Sequence, residues 1–248
     1  MIAADPWQGT GFRWLFAGQL VSLAGGSMTP VALSFAVLDA SGRSGDLALA
    51  LAAQSLTLLA FLLLGGAVAD RVPRATGLVI SHHGACTTQS AVAGLLLSHQ
   101  YHLSLVVALE TANGACAAFT TPALRGVLSQ LVDRGSLHRA NSILSTSRSA
   151  TRVVGPTVAG VVVAGFSGGW AIAFDALSFA VAALCMARLT LATQLTDAPT
   201  RTTMLSTVRE GWDQFRARSW VVVVVATFAG SNFALSSSSS NRTTTVVE

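Results

Sequence analysis

The sequence contains no lysine and few charged residues of any kind. Only 10% of its 248 residues are charged, against about 25% in ordinary globular chains. All 15 basic residues are arginines, and 52% of the chain is hydrophobic, with a mean hydropathy of +0.59. This composition excludes an ordinary soluble domain and predicts that lipid is the solvent for most of the chain.

Motifs for metal binding and catalysis are also missing. Cys86, Cys116 and Cys185 each lie in an apolar run with no CxxC or Cys/His pairing, which predicts neither a disulfide framework nor a zinc site. His83 and His99 are 16 helical residues apart, about 24 Å, so one metal ion cannot bind both. P-loops and nucleophile elbows are absent as well. We therefore expect no metal, no cofactor and no enzymatic activity.

The chain consists mainly of apolar runs about 20 residues long, the length of a helix that crosses a hydrocarbon core of ~30 Å. Six such runs predict transmembrane helices at 14–38, 47–68, 75–97, 102–124, 140–165 and 170–189. Residues 125–139 are predicted to form a polar connection, with Pro122 just before it. The expected fold class is therefore an all-α membrane protein.

The predicted organisation has five segments. They are a cytoplasmic amino-terminal segment (1–12), a six-helix transmembrane bundle (13–190), a cytoplasmic amphipathic linker (191–219), an incomplete seventh transmembrane helix (220–235) and a polar low-complexity tail (236–248). The linker contains a stretch at 209–216 with the spacing of a short helix on a membrane surface. The seventh run, about 16 residues long, is at the lower edge of a spanning length.

The positions of the arginines predict the orientation. If the amino terminus is inside, the outer loops hold only Arg43 and the inner segments hold eleven arginines. The inner ones are Arg13, Arg71, Arg74, Arg125, Arg134, Arg139, Arg188, Arg201, Arg209, Arg216 and Arg218. This asymmetry is typical of a cytoplasmic amino terminus. Because the arginines form no single basic face, anionic lipid is the expected counter-charge, and no nucleic-acid partner is expected.

A tight turn between the second and third runs carries one acid and two arginines. Its pattern, Gly66-x-x-x-Asp70-Arg71-x-Pro73-Arg74, resembles the loop between helices 2 and 3 of major facilitator superfamily transporters, which normally have glycine at the position of Pro73. The resemblance implies that Gly66, Asp70, Arg71 and Arg74 form a loop that locks the two halves of a transporter together in one state. The alternative is a positively charged cytoplasmic loop of any multi-pass protein.

The fifth run contains a second motif, Gly155-Pro156-x-x-x-Gly160. Small residues let helices approach closely, and a proline frees a backbone carbonyl and bends the helix. Together with residues 168–179, the motif resembles the enterobactin-exporter-like and macrolide-exporter-like group of the superfamily, over residues 12–235. The resemblance implies the amino-terminal six-helix bundle of the major facilitator fold plus an incomplete seventh helix. The alternative for this motif is an ordinary packing kink.

Charged residues inside the predicted spans are the candidates for proton or substrate coupling, because a lone ion at the bilayer centre costs about 2.5–3.5 kcal/mol. They are Glu110, Arg148, Arg152 and Asp175, and all four are predicted to face the bundle interior. In relatives the position of Glu110 often holds an arginine linked to proton coupling. The alternative is a structural ion pair of Arg148 or Arg152 with Glu110 or Asp175.

Two functions of different classes remain open. The resemblance implies proton-coupled efflux of small amphipathic molecules, such as drugs or siderophores, across the bacterial cytoplasmic membrane by rocking of two halves about a midplane site. The partners would then be the lipid bilayer, a small-molecule substrate, protons, and either the missing carboxy-terminal half or a second copy. The alternative is a truncated, non-transporting membrane fragment or a docking partner of another membrane protein, which the short seventh run and the serine-rich tail favour.

Overall fold

A computed structural model describes residues 6–69 and 74–193, without the side chains at 8, 62–69 and 190–193. The described elements belong to one compact unit, Met1–Arg201. Asp70 and Arg71 lie outside the described residues. So do residues 194–219 of the predicted amphipathic linker, the seventh helix and the polar tail; the first three linker residues, 191–193, belong to the last helix.

Every regular element in the described residues is helical. A short 3-10 helix, Pro6–Gln8, precedes six α-helices. These are α1 (Thr10–Ser41), α2 (Ser44–Ala69), α3 (Arg74–Leu97), α4 (Leu103–Leu131), α5 (Leu137–Gly165) and α6 (Gly168–Thr193). The prediction of a six-helix, all-α membrane fold is thereby confirmed.

The fourth helix is longer than the sequence predicts. We expected a polar connection at 125–139, but α4 continues through Pro122 to Leu131, and α5 already begins at Leu137. The physical reason is burial, because Val127 and Leu128 are packed inside the bundle. The favourable free energy of burying these apolar side chains outweighs the free-energy cost of a proline inside the helix.

Four of the six described helices are long and apolar enough to cross a membrane. The spans are Thr10–Ser41, Ser44–Phe61, Leu103–Leu131 and Gly168–Leu189. The other two, α3 and α5, have 24 and 29 residues, which correspond to about 36 and 44 Å. Their length is sufficient for a span, but their composition is more polar than we expected of a transmembrane run.

The helices pack in pairs that are not simply consecutive. The most extensive contacts join α1 to α6, and α3 packs against both α6 and α4. α2 lies mainly against α4, whereas α5 lies mainly against α1. The extensive contacts therefore connect the helices in the order α5, α1, α6, α3, α4 and α2.

Two clusters of buried apolar side chains close the bundle near its two ends. The Phe12 cluster includes Phe12, Leu15, Leu78, Ala123, Leu124, Val127, Leu144, Met186 and Leu189. The Leu33 cluster includes Leu33, Val37, Val92, Leu96, Val106 and Ile172. Along α1, α3, α4 and α6, the stretch between the clusters is where the polar side chains are concentrated.

Glycines allow the closest helix contacts, as is common in membrane bundles. At Gly114 of α4, an added Cβ would lie 3.1 Å from the carbonyl carbon of Gln54 on α2 and 3.2 Å from its Cα. At Gly18 of α1, it would lie 2.7 Å from Met186 Cε on α6. The contact at Gly114 is with backbone atoms, so the two helices would have to separate to accommodate a side chain.

We expect Gly114→Val to lower the free energy of unfolding by about 1–3 kcal/mol, the usual cost of overpacking, because the new side chain meets the backbone of α2. Gly94→Val is the matched control, because an added Cβ at Gly94 has no neighbour within 4 Å. Thermal unfolding of the two variants in detergent measures the difference. Equal melting temperatures would contradict the close approach of α2 and α4.

A hydrogen bond joins the turn between α3 and α4 to the first turn of α2, at the end of the bundle that holds the Leu33 cluster. The hydroxyl of Tyr101, in the turn between α3 and α4, donates to Asp46 Oδ2 in the first turn of α2, at 3.2 Å. Partial burial, the charge of Asp46 and this bond raise the pKa of Tyr101 above its usual value of 10.0. The stabilisation by this bond is therefore present below the unfolded-state pKa and is lost as the pH rises through the folded-state pKa.

Tyr101 is the single tyrosine of the sequence, so an absorbance titration of the phenolate reports on it alone. We expect a midpoint above pH 10 in the folded protein. Asp46→Asn should lower that midpoint towards 10, because the neighbouring negative charge is removed. Asp39→Asn, an exposed acid at the end of α1, should leave it unchanged. A midpoint insensitive to Asp46→Asn would show that the bond does not form.

Candidate functional site

A half-open cavity of about 630 Å³ lies between the helices, and all six helices line it. Its lining residues are Gln19, Ser22, Leu23, Gly26, Ser27, Thr29, Pro30, Gln54, Ser81, His82, Ala85, Asn113, Ala117, Thr120, Thr121, Arg148, Thr151, Arg152, Pro156, Asp175 and Phe179. On α1 these residues fall between Leu15 of the Phe12 cluster and Leu33 of the Leu33 cluster. The cavity is therefore at mid-depth, with apolar packing at both ends.

The lining is rich in groups that form hydrogen bonds. Seven hydroxyl groups, three amides, one imidazole, one carboxyl and two guanidinium groups belong to it. On α1, Gln19, Ser22, Gly26 and Thr29 follow one another at helical spacing, so this polar stripe faces the cavity along three turns. A site of this kind can hold a molecule by several hydrogen bonds while Leu23 and Phe179 contact its apolar part.

Asp175 of α6 is fully buried and is held by hydroxyl groups. Thr29 Oγ1 of α1 donates to Asp175 Oδ2 at 2.6 Å, and Ser178 Oγ lies 3.4 Å from Asp175 Oδ1. Gly25 of α1 allows this approach, because an added Cβ there would lie 2.7 Å from Asp175 Oδ1. The contact between α1 and α6 thus fixes the position of the carboxyl group.

The two arginines of α5 lie at mid-depth and have no ion-pair partner within residues 6–69 and 74–193. Arg152 is 15 residues after Leu137 and 13 before Gly165, so it is about 20 Å from either end of the helix. Arg148 is one turn closer to Leu137, and both arginines line the cavity. Among the described residues, neither forms an ion pair with Glu110 or Asp175. The structural ion pair that we considered from the sequence is therefore not present there.

Glu110 is also fully buried, but it does not line the cavity. Gln89 Nε2 of α3 donates to Glu110 Oε1 at 3.3 Å, while Glu110 Oε2 and Gln89 Oε1 are buried without a hydrogen-bond partner. The sequence predicted that Glu110 lies near the middle of the fourth helix. Because α4 extends to Leu131, Glu110 instead lies about a quarter of the way along it. Asn113, which lines the cavity, is one turn away from Glu110 on the same helix.

His82 contributes a nitrogen atom whose role the sequence did not indicate. Its Nδ1 is 2.8 Å from the carbonyl oxygen of Leu78 and donates to it, so Nε2 is left as an acceptor. Nε2 is buried and has no hydrogen-bond partner, and the ring lines the cavity with an edge contact to Phe179. His82 is therefore available to a hydrogen-bond donor that enters the cavity.

The two family motifs are only partly within the described residues. Gly155 packs against Ser27 of α1, and an added Cβ would lie 2.6 Å from Ser27 Cβ, so α5 and α1 approach closely there. Pro156 lines the cavity. Gly160 has no atom within 4 Å of an added Cβ, so the close approach that we predicted at this position is wrong for the described residues.

Of the loop motif, Gly66 falls within α2 and Arg74 begins α3. The Arg74 side chain lies across Gly126 of α4, where an added Cβ would be 2.7 Å from Arg74 Nε. Arg74 is therefore positioned against the last turns of α4.

Sequence reasoning selected all three charged lining residues and missed the neutral polar ones. The lining residues Gln19, Thr29, His82 and Asn113 were not among the predicted site residues, and neither was Gln89, the partner of Glu110. The available signal was their helical spacing within apolar runs, such as the i, i+3, i+7, i+10 stripe that starts at Gln19. A search for polar stripes on apolar helices would have found the α1 wall.

Long helices of membrane length around a polar cavity at mid-depth define a multi-pass membrane protein of the transporter class. Comparison with protein families agrees, because the family described as transmembrane secretion effector matches residues 2–242. The chain belongs to this family, which is a transporter family of the major facilitator type and not an enzyme class. No curated protein matches the chain significantly.

The contrast between cavity and lipid-facing positions can be tested by cysteine labelling. In a background in which the native cysteines Cys86, Cys116 and Cys185 are replaced by alanine, we expect Arg152→Cys and Gln54→Cys to react with a membrane-impermeant, water-soluble maleimide. Val153→Cys is the matched control: its neighbour Arg152 lines the cavity, whereas Val153 is 76% exposed outside it. We expect Val153→Cys to face lipid and to react at least about tenfold more slowly, because thiolate forms poorly in hydrocarbon. Equal rates at 152 and 153 would contradict the assignment of the cavity.

Proposed function

We propose that the protein exports small amphipathic molecules across the bacterial cytoplasmic membrane, driven by protons, with its amino terminus in the cytoplasm. The observation that carries the proposal is the polar cavity at mid-depth, with two arginines on its wall that form no ion pair in the part of the chain that the structure describes. Such groups are costly in a membrane and usually mark a substrate or ion pathway. The resemblance to enterobactin and macrolide exporters supports amphipathic molecules as the substrate class.

Glu110 is the proton-binding group in this proposal. A proton on Glu110 Oε2 would provide a donor where one is missing, and the unpartnered Gln89 Oε1 is an acceptor on the facing side chain. With the proton bound, acid and amide would form two reciprocal hydrogen bonds. Without it, the carboxylate would keep only the bond from Gln89 Nε2. Loss of the proton would therefore loosen the contact between α3 and α4, and Asn113 would transmit the change to the cavity.

In this proposal, the two family motifs control the conformational change that accompanies transport. Asp70, Arg71 and Arg74 lock one state at the cytoplasmic surface, with Gly66 allowing the turn. On α5, Gly155 and Pro156 connect the cavity wall to α1, and Gly160 leaves space on the opposite side. A second wall, which alternating access requires, would come from further residues of the protein or from a second copy.

An accumulation assay tests export and its coupling together. Cells of a drug-sensitive bacterial strain that produce the protein should accumulate several-fold less radiolabelled chloramphenicol, a neutral amphipathic drug, than cells without it, and a protonophore should abolish the difference. In proteoliposomes, Glu110→Gln should abolish chloramphenicol uptake driven by a pH gradient but retain its exchange at equal concentrations, because the variant mimics the permanently protonated state. Asp133→Asn, an exposed acid between α4 and α5, is the control.

Three results would contradict the proposal. Efflux that persists with a protonophore present would exclude proton coupling. Normal gradient-driven transport by Glu110→Gln would exclude Glu110 as the proton site. The absence of any difference in accumulation would exclude export of this compound class by the chain.

A further inference from the structure

The two arginines on the cavity wall have no ion-pair partner among the described residues. Arg148 and Arg152 form no ion pair, although they lie about 16 to 20 Å from the nearer end of α5. At that depth an arginine is stable only when it faces water or an anion. The side chains therefore depend on what fills the cavity.

The acids of the bundle are already engaged elsewhere. Asp175 accepts hydrogen bonds from Thr29 and Ser178, and Glu110 accepts one from Gln89 outside the cavity lining. The lining thus carries two guanidinium groups against one carboxyl group, whose oxygens are partly satisfied. A ligand that brings its own negative charge would neutralise the excess.

The geometry of the arginines suits an oxyanion. Residues 148 and 152 are one helical turn apart, about 6 Å along the axis, and lie on the same face of α5. Each guanidinium presents a planar set of donors that matches the two oxygens of a carboxylate. Thr151, between them in sequence, adds a hydroxyl to the same wall.

Other parts of the lining suit the rest of such a molecule. Leu23 and Phe179 offer apolar contact, and the amides of Gln19, Gln54 and Asn113 can bond to neutral polar groups. The volume of about 630 Å³ is within the range of small-molecule sites. An organic acid with an aromatic or aliphatic body fits these features.

We infer that the cavity binds small organic anions, with Arg148 and Arg152 holding a carboxylate or a similar oxyanion. The inference rests on the proposed function, because it names the substrate class of the same cavity. It differs from that function in being a statement about equilibrium binding, which requires no transport.

Three fluorescent probes with one common body test the inference. They are dansylglycine, a carboxylate; dansylglycinamide, its neutral analogue; and dansylcadaverine, a cation. The full chain is reconstituted in phosphatidylcholine nanodiscs, so that no anionic headgroup competes, and dissociation constants are measured by fluorescence. We expect dansylglycine to bind about tenfold more tightly than dansylglycinamide, the effect of a charge-assisted hydrogen bond, and dansylcadaverine to bind most weakly.

Variants assign this preference to the two arginines. Arg148→Gln and Arg152→Gln should each weaken dansylglycine binding about tenfold and leave dansylglycinamide binding unchanged, whereas the corresponding lysine variants should retain part of the preference. Arg134→Gln removes an exposed arginine between α4 and α5 and should change neither constant. If a glutamine variant does not fold, the lysine variant and the comparison of the three probes on the unmodified protein still test whether the cavity prefers an organic anion.

The inference is overturned by equal affinity for the acid and the amide, by preference for the cation, or by the absence of binding of all three probes. It is also overturned if Arg148→Gln and Arg152→Gln weaken binding of the acid and the amide equally. Binding of dansylglycine without efflux in the accumulation assay would refute the proposed export and leave the anion site intact. Proton-driven efflux of chloramphenicol without a preference for dansylglycine over dansylglycinamide would support the proposed export and refute the anion site.

Discussion

Hydrocarbon offers no water to polar side chains, and the arrangement of this bundle depends on that constraint. Asp175 accepts hydrogen bonds from hydroxyl groups of its own helix and of α1, and one oxygen of Glu110 accepts a hydrogen bond from an amide of α3. Arg148 and Arg152 instead turn towards a shared cavity. Apolar clusters close both ends of the bundle, so the polar groups are concentrated at mid-depth. The same arrangement that makes the helices compatible with lipid also creates the site.

The number and order of the helices were predictable, because each apolar run has the length that a membrane imposes. The end of α4 was not. Pro122 and the charges at 125 and 134 favoured an early end, but burial of Val127 and Leu128 continues the helix to Leu131. Local signals near a proline do not report on packing against distant helices, which decided this boundary.

The site was predictable to the extent that charge marks it. The presence of Arg148, Arg152 and Asp175 on one cavity follows from the cost of ions in lipid, and the structure brings them together. Their lack of mutual pairing does not follow, because it depends on side-chain distances between helices. The neutral partners Gln89 and Thr29 were missed, since hydroxyl and amide groups are tolerated in membrane helices without any special role.

The cavity with its two unpaired arginines is the central claim, and a structure determined by electron cryo-microscopy in a lipid nanodisc tests it most directly. An antibody fragment bound to the protein would provide the required mass. The account predicts that the guanidinium groups of Arg148 and Arg152 lie more than 4 Å from the carboxyl groups of Glu110 and Asp175 and border a solvent-filled space. Guanidinium groups paired with either acid, or side chains of α1 and α6 filling the space, would contradict it.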